Sequence, residues 1–501
     1  MHQCIATWSR FRDLTVVGRA LALLEIKSTP ILTNWNFHVF KIVYRRYTAF
    51  SLESIEQTFN GTADFGKKVT CTISRNGDLI HRTYLQVQLP DVTVPKASAP
   101  TGGSIGFRWL DWPGHTLIKS VELEIGGQRI DKHYSTWLHI WNELTQTSGH
   151  ASGYANMVGN TPDLTAITSV LSTATSDAHV TGKVLYIPLQ FWFCNNPGLA
   201  LPLIALQYHE VKINIEFAPV SDMYWAGTKA SSSADWVTSS SVVTVPPLAY
   251  ASLYVDYVYL DTEERRRFAQ VSHEYLISQV QYTGPETATG INNKVKLNFN
   301  HPVKELVWAV QPSKSVSSDT ALGPQWYNFT DAVYADPTGQ TTGWEYLLAG
   351  AAGGLNAIRG NIQTEGGANP VKWGKLQLNG HDRFSGRDGS YFNLVQPYQH
   401  HTNVPSKGIN VYSFALLPEE HQPSGTCNMS RIDNATLQLT LTSATLSGQS
   451  ATIFVFAINY NVLRIMSGMG GLILIMINLL SRKAISPGYL DIPRKTLLCV
   501  Q

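Results

Sequence analysis

Residues 61–68 read GTADFGKK, which has the glycine and lysine spacing of a phosphate-cradling loop. That chemistry needs a Ser or Thr hydroxyl for Mg²⁺ after the lysine, and a helix N-terminus facing the phosphates. Lys68 stands where the hydroxyl is needed, and the residues that follow alternate as a strand, so a plain strand connection is expected. His209-Glu210 opens like a zinc-protease motif, but the second His is missing and the segment again alternates. His400-His401 and His381-Asp382 raise a cupin-type metal site. A strand grips a metal with alternate residues, whereas adjacent ones point to opposite faces, so loop histidines are the better reading. No GxSxG elbow and no convincing Cys and His pairing appears. The expectation is therefore no catalytic residue, no cofactor and no metal.

Charged and modifiable groups are no more pointed. Arg265, Arg266 and Arg267 follow Glu263 and Glu264 on a predicted helix, which reads as a solvated charged face. Lys41, Arg45 and Arg46 alternate with aromatics, as a polyanion contact or a charge-protected edge strand would. Sequons at Asn60, Asn328, Asn428 and Asn434 are candidate N-glycosylation sites, although synthesis inside the cell would leave them unused by the secretory route. Cys4, Cys71, Cys194, Cys427 and Cys499 form no CxxC pair, so reduced, intracellular thiols are expected. The start of the chain does not have the pattern of a signal peptide, and LILIMINLL (472–480) is too short to span a bilayer, which points to surface or partner contact.

The elements that must carry these residues are mostly strands. VKINIEF (211–217) puts four apolar side chains on one face and polar ones on the other, and KVTCTIS, VELEI, KVKLNF, KLQLN and TLQLTL alternate likewise. YIPLQFWF (186–193) and TIFVFAINY (452–460) are continuously apolar, as strands covered on both faces would be. Asn76-Gly77 and Gly126-Gly127 are dipeptides suited to tight hairpin turns. Two helices are predicted. STWLHIWNEL (135–144) has Ser135 as N-cap and Trp137, Trp141 and Leu144 on one stripe, and DTEERRRFAQ (261–270) opens with Asp261 and Glu264 at capping-box spacing.

With 501 residues, two large domains are expected, because single cores stop growing near ~250–300 residues. Charged residues are 15% and the apolar set 44%, so the chain buries large cores and is not disordered. A net charge of +2 argues against a protein whose task is coating nucleic acid. The order of features repeats: VELEIGGQRIDKHYSTW in the first half answers to KLQLNGHDRFSGRDGSYF in the second, each followed by an insertion, a buried strand, a Pro-containing bridge and an alternating strand. Two copies of one eight-stranded jelly-roll sandwich are the economical reading, giving an all-β chain with a few short helices in loops and linker. The expected division is an arm at 1–37, a first jelly roll at 38–260, a linker helix at 261–271, a second jelly roll at 272–471 and an extension at 472–501.

Long strings then carry a resemblance. FKIVYRRYTAFSLESIEQTFNG, VTCTISRNGDLIHRTYLQV, NPGLALPLIALQYHEVKI, LQLNGHDRFSGRDGSYFNLVQPYQHHTNVP and GINVYSFALLPEEHQPSGTCNMSRIDNATL strongly resemble the major capsid proteins of nucleocytoplasmic large DNA viruses of algae and protists. The resemblance implies a double jelly roll and a homotrimeric, pseudo-hexagonal capsomer tiling an icosahedral shell. Its implied partners are neighbouring capsomers, minor capsid proteins and an internal virion membrane, with no specific nucleic acid. Assembly would follow synthesis in the host cytoplasm. The insertions at 145–182 and 311–370 would then form outward towers and trimer contacts. Residues 1–37 and 472–501 depart from the family pattern, either as extensions touching membrane or minor capsid proteins or as a misassigned reading frame. The rival function is a jelly-roll carbohydrate-binding or host-attachment component, resting on Trp326, Tyr327 and Trp344 as exposed aromatics.

Overall fold

A computed structural model describes residues 49–233, 236–317, 323–333, 367–446 and 449–473. Sixteen strands make its frame. Eight come from the first half: β1 (Phe50–Gln57), β2 (Lys68–Thr72), β3 (Leu79–Gln88), β4 (Ile118–Ile125), β5 (Gln128–Tyr134), β6 (Val184–Pro188), β7 (Val211–Phe217) and β8 (Tyr250–Leu260). Eight come from the second: β9 (His273–Tyr282), β10 (Asn292–Leu297), β11 (Pro302–Pro312), β12 (Val371–Leu378), β13 (His381–Asp382), β14 (Ile409–Ser413), β15 (Ala435–Leu441) and β16 (Ala451–Met466). The first set forms sheets ordered β1-β8-β3-β6 and β2-β7-β4-β5; the second forms β9-β16-β11-β14 and β10-β15-β12-β13. Each of these eight strands of the first half thus has its counterpart eight strands later, in the same place and the same antiparallel pairing. Two tandem jelly rolls follow from this order, as the feature repeat in the sequence implied.

Alternation became burial. β7 and β15 bury every second residue, Val211, Ile213, Ile215 and Phe217 in one and Ala435, Leu437, Leu439 and Leu441 in the other. There are two large apolar cores, the first around Phe107, Trp109, Leu123 and Phe217 and joined by Ile277, Leu463 and Ile465 of β9 and β16, the second around Trp308, Leu376, Phe392 and Leu437. The β4-β5 hairpin turns at Gly126 and Gly127, with φ of +58° and +83°. Its counterpart between β12 and β13 turns at Asn379 and Gly380, with φ of +51° and +81°, the doubly positive geometry that matches strand twist.

Asn76-Gly77 is a different case and corrects the hairpin expectation. β2 pairs with β7, whereas β3 pairs with β8 and β6, so this connection crosses between sheets. Gly77 is required by close approach: a Cβ there would lie 2.8 Å from Cβ of Tyr257, whose hydroxyl donates to the Ser74 carbonyl at 2.7 Å. YIPLQFWF also departs from one continuous strand. β6 ends at Pro188, and Phe191, Trp192 and Phe193 leave the ladder to fill the first core, the last two on a short helical turn.

Two helices matter below, α1 (Ser135–Thr145) and α2 (Thr262–Gln270). Asp261 caps α2 by accepting from the Thr262 amide, while α1 starts on Tyr134 without a side-chain cap. Ser135 is instead the first helical residue, and its hydroxyl meets that of Tyr327 at 2.6 Å. The arginine run on α2 is only partly a solvated face. Arg265 Nε reaches the buried Asp78 at 2.8 Å, and the other Asp78 oxygen accepts from the Leu260 amide at 2.9 Å. Phe268 packs with Leu79, Ala200, Val258 and Leu260, so α2 is fastened to the first sandwich.

Insertions at one end of the first sandwich fold together. Ser104–Trp109 pairs with both Tyr224–Lys229 and Thr168–Leu171, and Val237–Thr238 adds to the edge. This small sheet draws on three connections, between β3 and β4, β5 and β6, and β7 and β8, where the sequence singled out only residues 145–182. Of the second expected insertion, residues 318–322 and 334–366, with Trp344, lie outside the described residues, as do Lys41, Arg45 and Arg46. The last strand, Met469–Ile473, pairs back on β16 and carries the sheet two residues past the expected end at 471.

Candidate functional site

The least local feature of the fold is the joint between its two sandwiches. Apolar spacing of i, i+3, i+4 and i+7 on α1 aligns Trp137, Ile140, Trp141 and Leu144 on one face. That face lies on the outer surface of the second sandwich, against Val307 and Ala309 of β11, Ile409 and Val411 of β14, and Phe456 and Ile458 of β16. Trp137 and Phe456 rings stand 5.2 Å apart, and Trp137, Ile140 and Leu144 are almost fully buried. The continuously apolar run TIFVFAINY is explained here. Its inner face fills the second core, and its outer face receives α1.

Hydrogen bonds fix the angle of the joint. The last turn of α1 leaves carbonyls that need donors. The Asn403 amide donates to the Leu144 carbonyl at 3.0 Å and its side chain to the Glu143 carbonyl at 2.9 Å, while the Ser406 amide reaches the Glu143 carboxylate at 3.3 Å. At the sheet edges the Val280 amide donates to Asp131 at 3.2 Å, and the Gln279 side chain donates to the Ile130 carbonyl.

Beside the apolar contact lies a buried aromatic cluster. His115 stacks on Trp112 at 5.3 Å, and its Nε2 meets the Tyr154 hydroxyl at 2.7 Å. His139 stacks on Tyr327 at 4.3 Å. Burial drives the His115 pKa down to about 3 and that of His139 well below its ordinary value, so both rings are neutral. Burial pushes Glu143 up to about 7. Tyr327 is brought from the second half by residues 323–333, and Trp326 beside it donates its indole N–H to the Asp222 carbonyl at 2.9 Å. Tyr327 is 4% exposed. The aromatic support for a glycan-binding function is thereby removed for these two residues, because they are consumed in holding the halves together.

The second polar element is ionic. β11 is buried along nearly its whole length, yet it contains Lys304 and Glu305, and a bulge against β16 falls at Lys304. His401 is clamped between carboxylates, Nε2 at 2.8 Å from Glu305 and Nδ1 at 2.8 Å from Glu419. Burial alone disfavours a charged ring, but the two carboxylates outweigh it and hold His401 up to about 9. Lys304 donates to the Pro418 carbonyl at 2.8 Å and sits 4.9 Å from the Tyr460 ring. A cavity of about 160 Å³ adjoins this group, lined by Trp137, Trp141 and Gln190 on one side and Lys304, Glu419 and His421 on the other.

None of the sequence candidates converges into a reaction centre. Residues 61–68 form a loop into β2, with Lys68 3.4 Å from Glu122. His209 Nδ1 contacts Gly470, and Glu210 pairs with Lys212. His381 and Asp382 form the short β13, with Asp382 bound to Lys375. His400 bonds the Leu416 carbonyl, away from His401. Both His401 nitrogens are already engaged, which leaves no lone pair for a metal, and no metal-ligating group of three occurs among the described residues. Asn60 and Asn434 are exposed and Asn428 is half-buried, but Asn328 is buried, with its amide donating to Gln325 at 2.7 Å and to the Ala332 carbonyl at 2.9 Å. What the α1 stripe, Tyr327 and His401 meet is not legible in the sequence. A signal existed: a Lys-Glu pair inside an apolar strand must find partners.

Comparison with known proteins follows the same lines. A family described as large eukaryotic DNA virus major capsid protein matches residues 264–471, and one described as major capsid protein N-terminus matches residues 38–261. The major capsid protein of Phaeocystis pouchetii virus is 50% identical, over 89% of this chain and 96% of its own length. That of Paramecium bursaria Chlorella virus 1 is 40% identical, over 86% and 93%. A chain of the PBCV-1 virus capsid superposes with a TM-score of 0.60 at 38% identity, covering 87% of this chain and 99% of its own. The Faustovirus major capsid protein shares the fold, with a TM-score of 0.65 at 15% identity.

Proposed function

The chain belongs to the family of large eukaryotic DNA virus major capsid proteins, and from that premise we propose that three copies associate into a pseudo-hexagonal capsomer that tiles an icosahedral shell. The carrying observation is that one chain folds twice with the same strand order and locks the two copies through α1. A trimer of such chains presents six similar units, so threefold objects pack in near-hexagonal arrays. The first jelly roll spans 38–260, the linker helix 261–271 and the second jelly roll 272–471 in this reading, with no catalytic role. The three-connection sheet of the first sandwich forms an outward tower. Neighbouring capsomers, minor capsid proteins and an internal membrane are its partners in this reading, and synthesis takes place in the host cytoplasm.

Mass measurement and electron microscopy of the purified full chain test this. The expected particle is a trimer with a sixfold-like outline; a monomer under all conditions of salt and concentration refutes it. Sequon use has its own outcome. If the virion protein carries N-glycans, peptide mass spectrometry is expected to find them at Asn60 or Asn434 and not at Asn328, whose side chain is sealed in the fold.

A further inference from the structure

The joint within the chain has an unused counterpart. β13 is followed, after a short connection, by a helical segment, Tyr391–Val395 continuing into Gln396–His400, as β5 is followed by α1. Leu138 of α1 turns into the first core and Phe392 into the second, which sets the alignment of the two helices. Asn142 and Gln396, both buried polar residues, then coincide. So do the four residues of the apolar stripe: Trp137 with Tyr391, Ile140 with Leu394, Trp141 with Val395, and Leu144 with Tyr398. In the first copy this stripe is covered by the second sandwich. In the second copy three of the four are open, with Leu394 50%, Val395 41% and Tyr398 80% exposed, while Tyr391 is half-buried against the second core.

The complementary face is open as well. α1 lies on β16, β11 and β14; the corresponding strands of the first sandwich are β8, β3 and β6. Their outer face presents Tyr254, Tyr84 and Tyr186, with Tyr84 stacked on Tyr254 at 5.2 Å and standing 6.2 Å from Tyr186. Tyr254 and Tyr250 hydroxyls bond Glu56, so the face is satisfied in water while offering broad rings, the chemistry favoured at protein contacts. One chain therefore carries a spare helix stripe and a spare sheet face of the same two types that it has already joined internally.

We propose that the 391–400 helix of one copy docks through Leu394, Val395 and Tyr398 on the Tyr84, Tyr186 and Tyr254 face of the next copy. The contact is heterologous, so it must close into a ring or run on as a filament. It rests on the trimer reading above, in which contacts within and between chains alternate around the ring. It also commits the occupant of both faces to a second copy of this chain.

The test uses the full chain. Leu394→Asp with Tyr398→Asp changes exposed side chains, so the circular dichroism of the folded chain is expected to stay as in the parent. Association is expected to weaken by about thirty-fold or more, read as loss of the trimer by light scattering. Tyr208→Asp, on another exposed residue, is expected to leave the trimer intact. In a second measurement, Tyr398→Cys combined with Tyr186→Cys is expected to oxidise to a covalent three-chain species that neither single variant gives. A parent trimer that survives the double Asp substitution and shows no such cross-link overturns this interface while leaving the trimer standing. A parent that is only monomeric overturns both.

Discussion

Exchanging His401 for Leu is expected to destabilise the folded chain by about 3–5 kcal/mol, because it strands the buried Glu305 charge. Glu305 is wholly buried, His401 Nε2 sits against one of its carboxylate oxygens, and the other has no hydrogen-bond partner. A buried ion pair adds little over an apolar pair of the same shape, but half of one is costly. The clamp also predicts the direction of a pH dependence. With its pKa raised to about 9 in the fold, against about 6.5 in the unfolded chain, imidazolium favours the folded state by about 3 kcal/mol. That contribution is fully present below about pH 6.5 and is lost as the pH rises through about 9. Denaturant unfolding between about pH 6 and pH 10 should show this alkaline loss in the parent and a distinctly smaller fall in His401→Leu, where only the other buried groups, Glu143 and the thiols of Cys71 and Cys194 among them, still titrate. A parent whose stability does not fall over that range would remove the clamp's electrostatic role.

Trp137→Ala carries the other large effect, about 3–5 kcal/mol, from emptying the centre of the joint. Trp137 is 2% exposed and packs on Trp141 and Phe456, so its loss leaves a cavity between two sandwiches rather than within one. Calorimetry should then resolve two transitions where the parent melts with its halves coupled. Leu394→Ala, on the equivalent but open helix, is expected to change monomer stability by no more than about 0.5 kcal/mol. Equal effects from the two substitutions would mean that burial of the α1 stripe does not hold the halves together.

These outcomes separate two kinds of information. Alternation in residues 211–217 and 436–441 was enough to assign strands, because side chains alternate faces regardless of what covers them. Gly126-Gly127 was enough to fix a turn, since the positive φ needed there is a property of the residues themselves. The stripe on 135–144 announced a helix with one buried face, and the repeated order of features announced two sandwiches.

What covers a face is a different matter. Asn76-Gly77 has the composition of a hairpin turn, yet pairing of β2 with β7 and β3 with β8 makes it a crossing, because strand partners lie more than a hundred residues away. Tyr327 looked like a surface aromatic until the fold carried it about two hundred positions back to Ser135. By its sequence His401 is a loop histidine, and only the meeting of β11 with the loop holding Glu419 makes it a buried cation. The order of amino acids decided which side chains would seek shelter and which backbone turns were open to them, since both are local properties. Which stripe found shelter inside the chain, and which was left facing out for another copy, was decided by where two similar sandwiches came to rest against each other, since apolar residues at i, i+3, i+4 and i+7 occur in both helical segments.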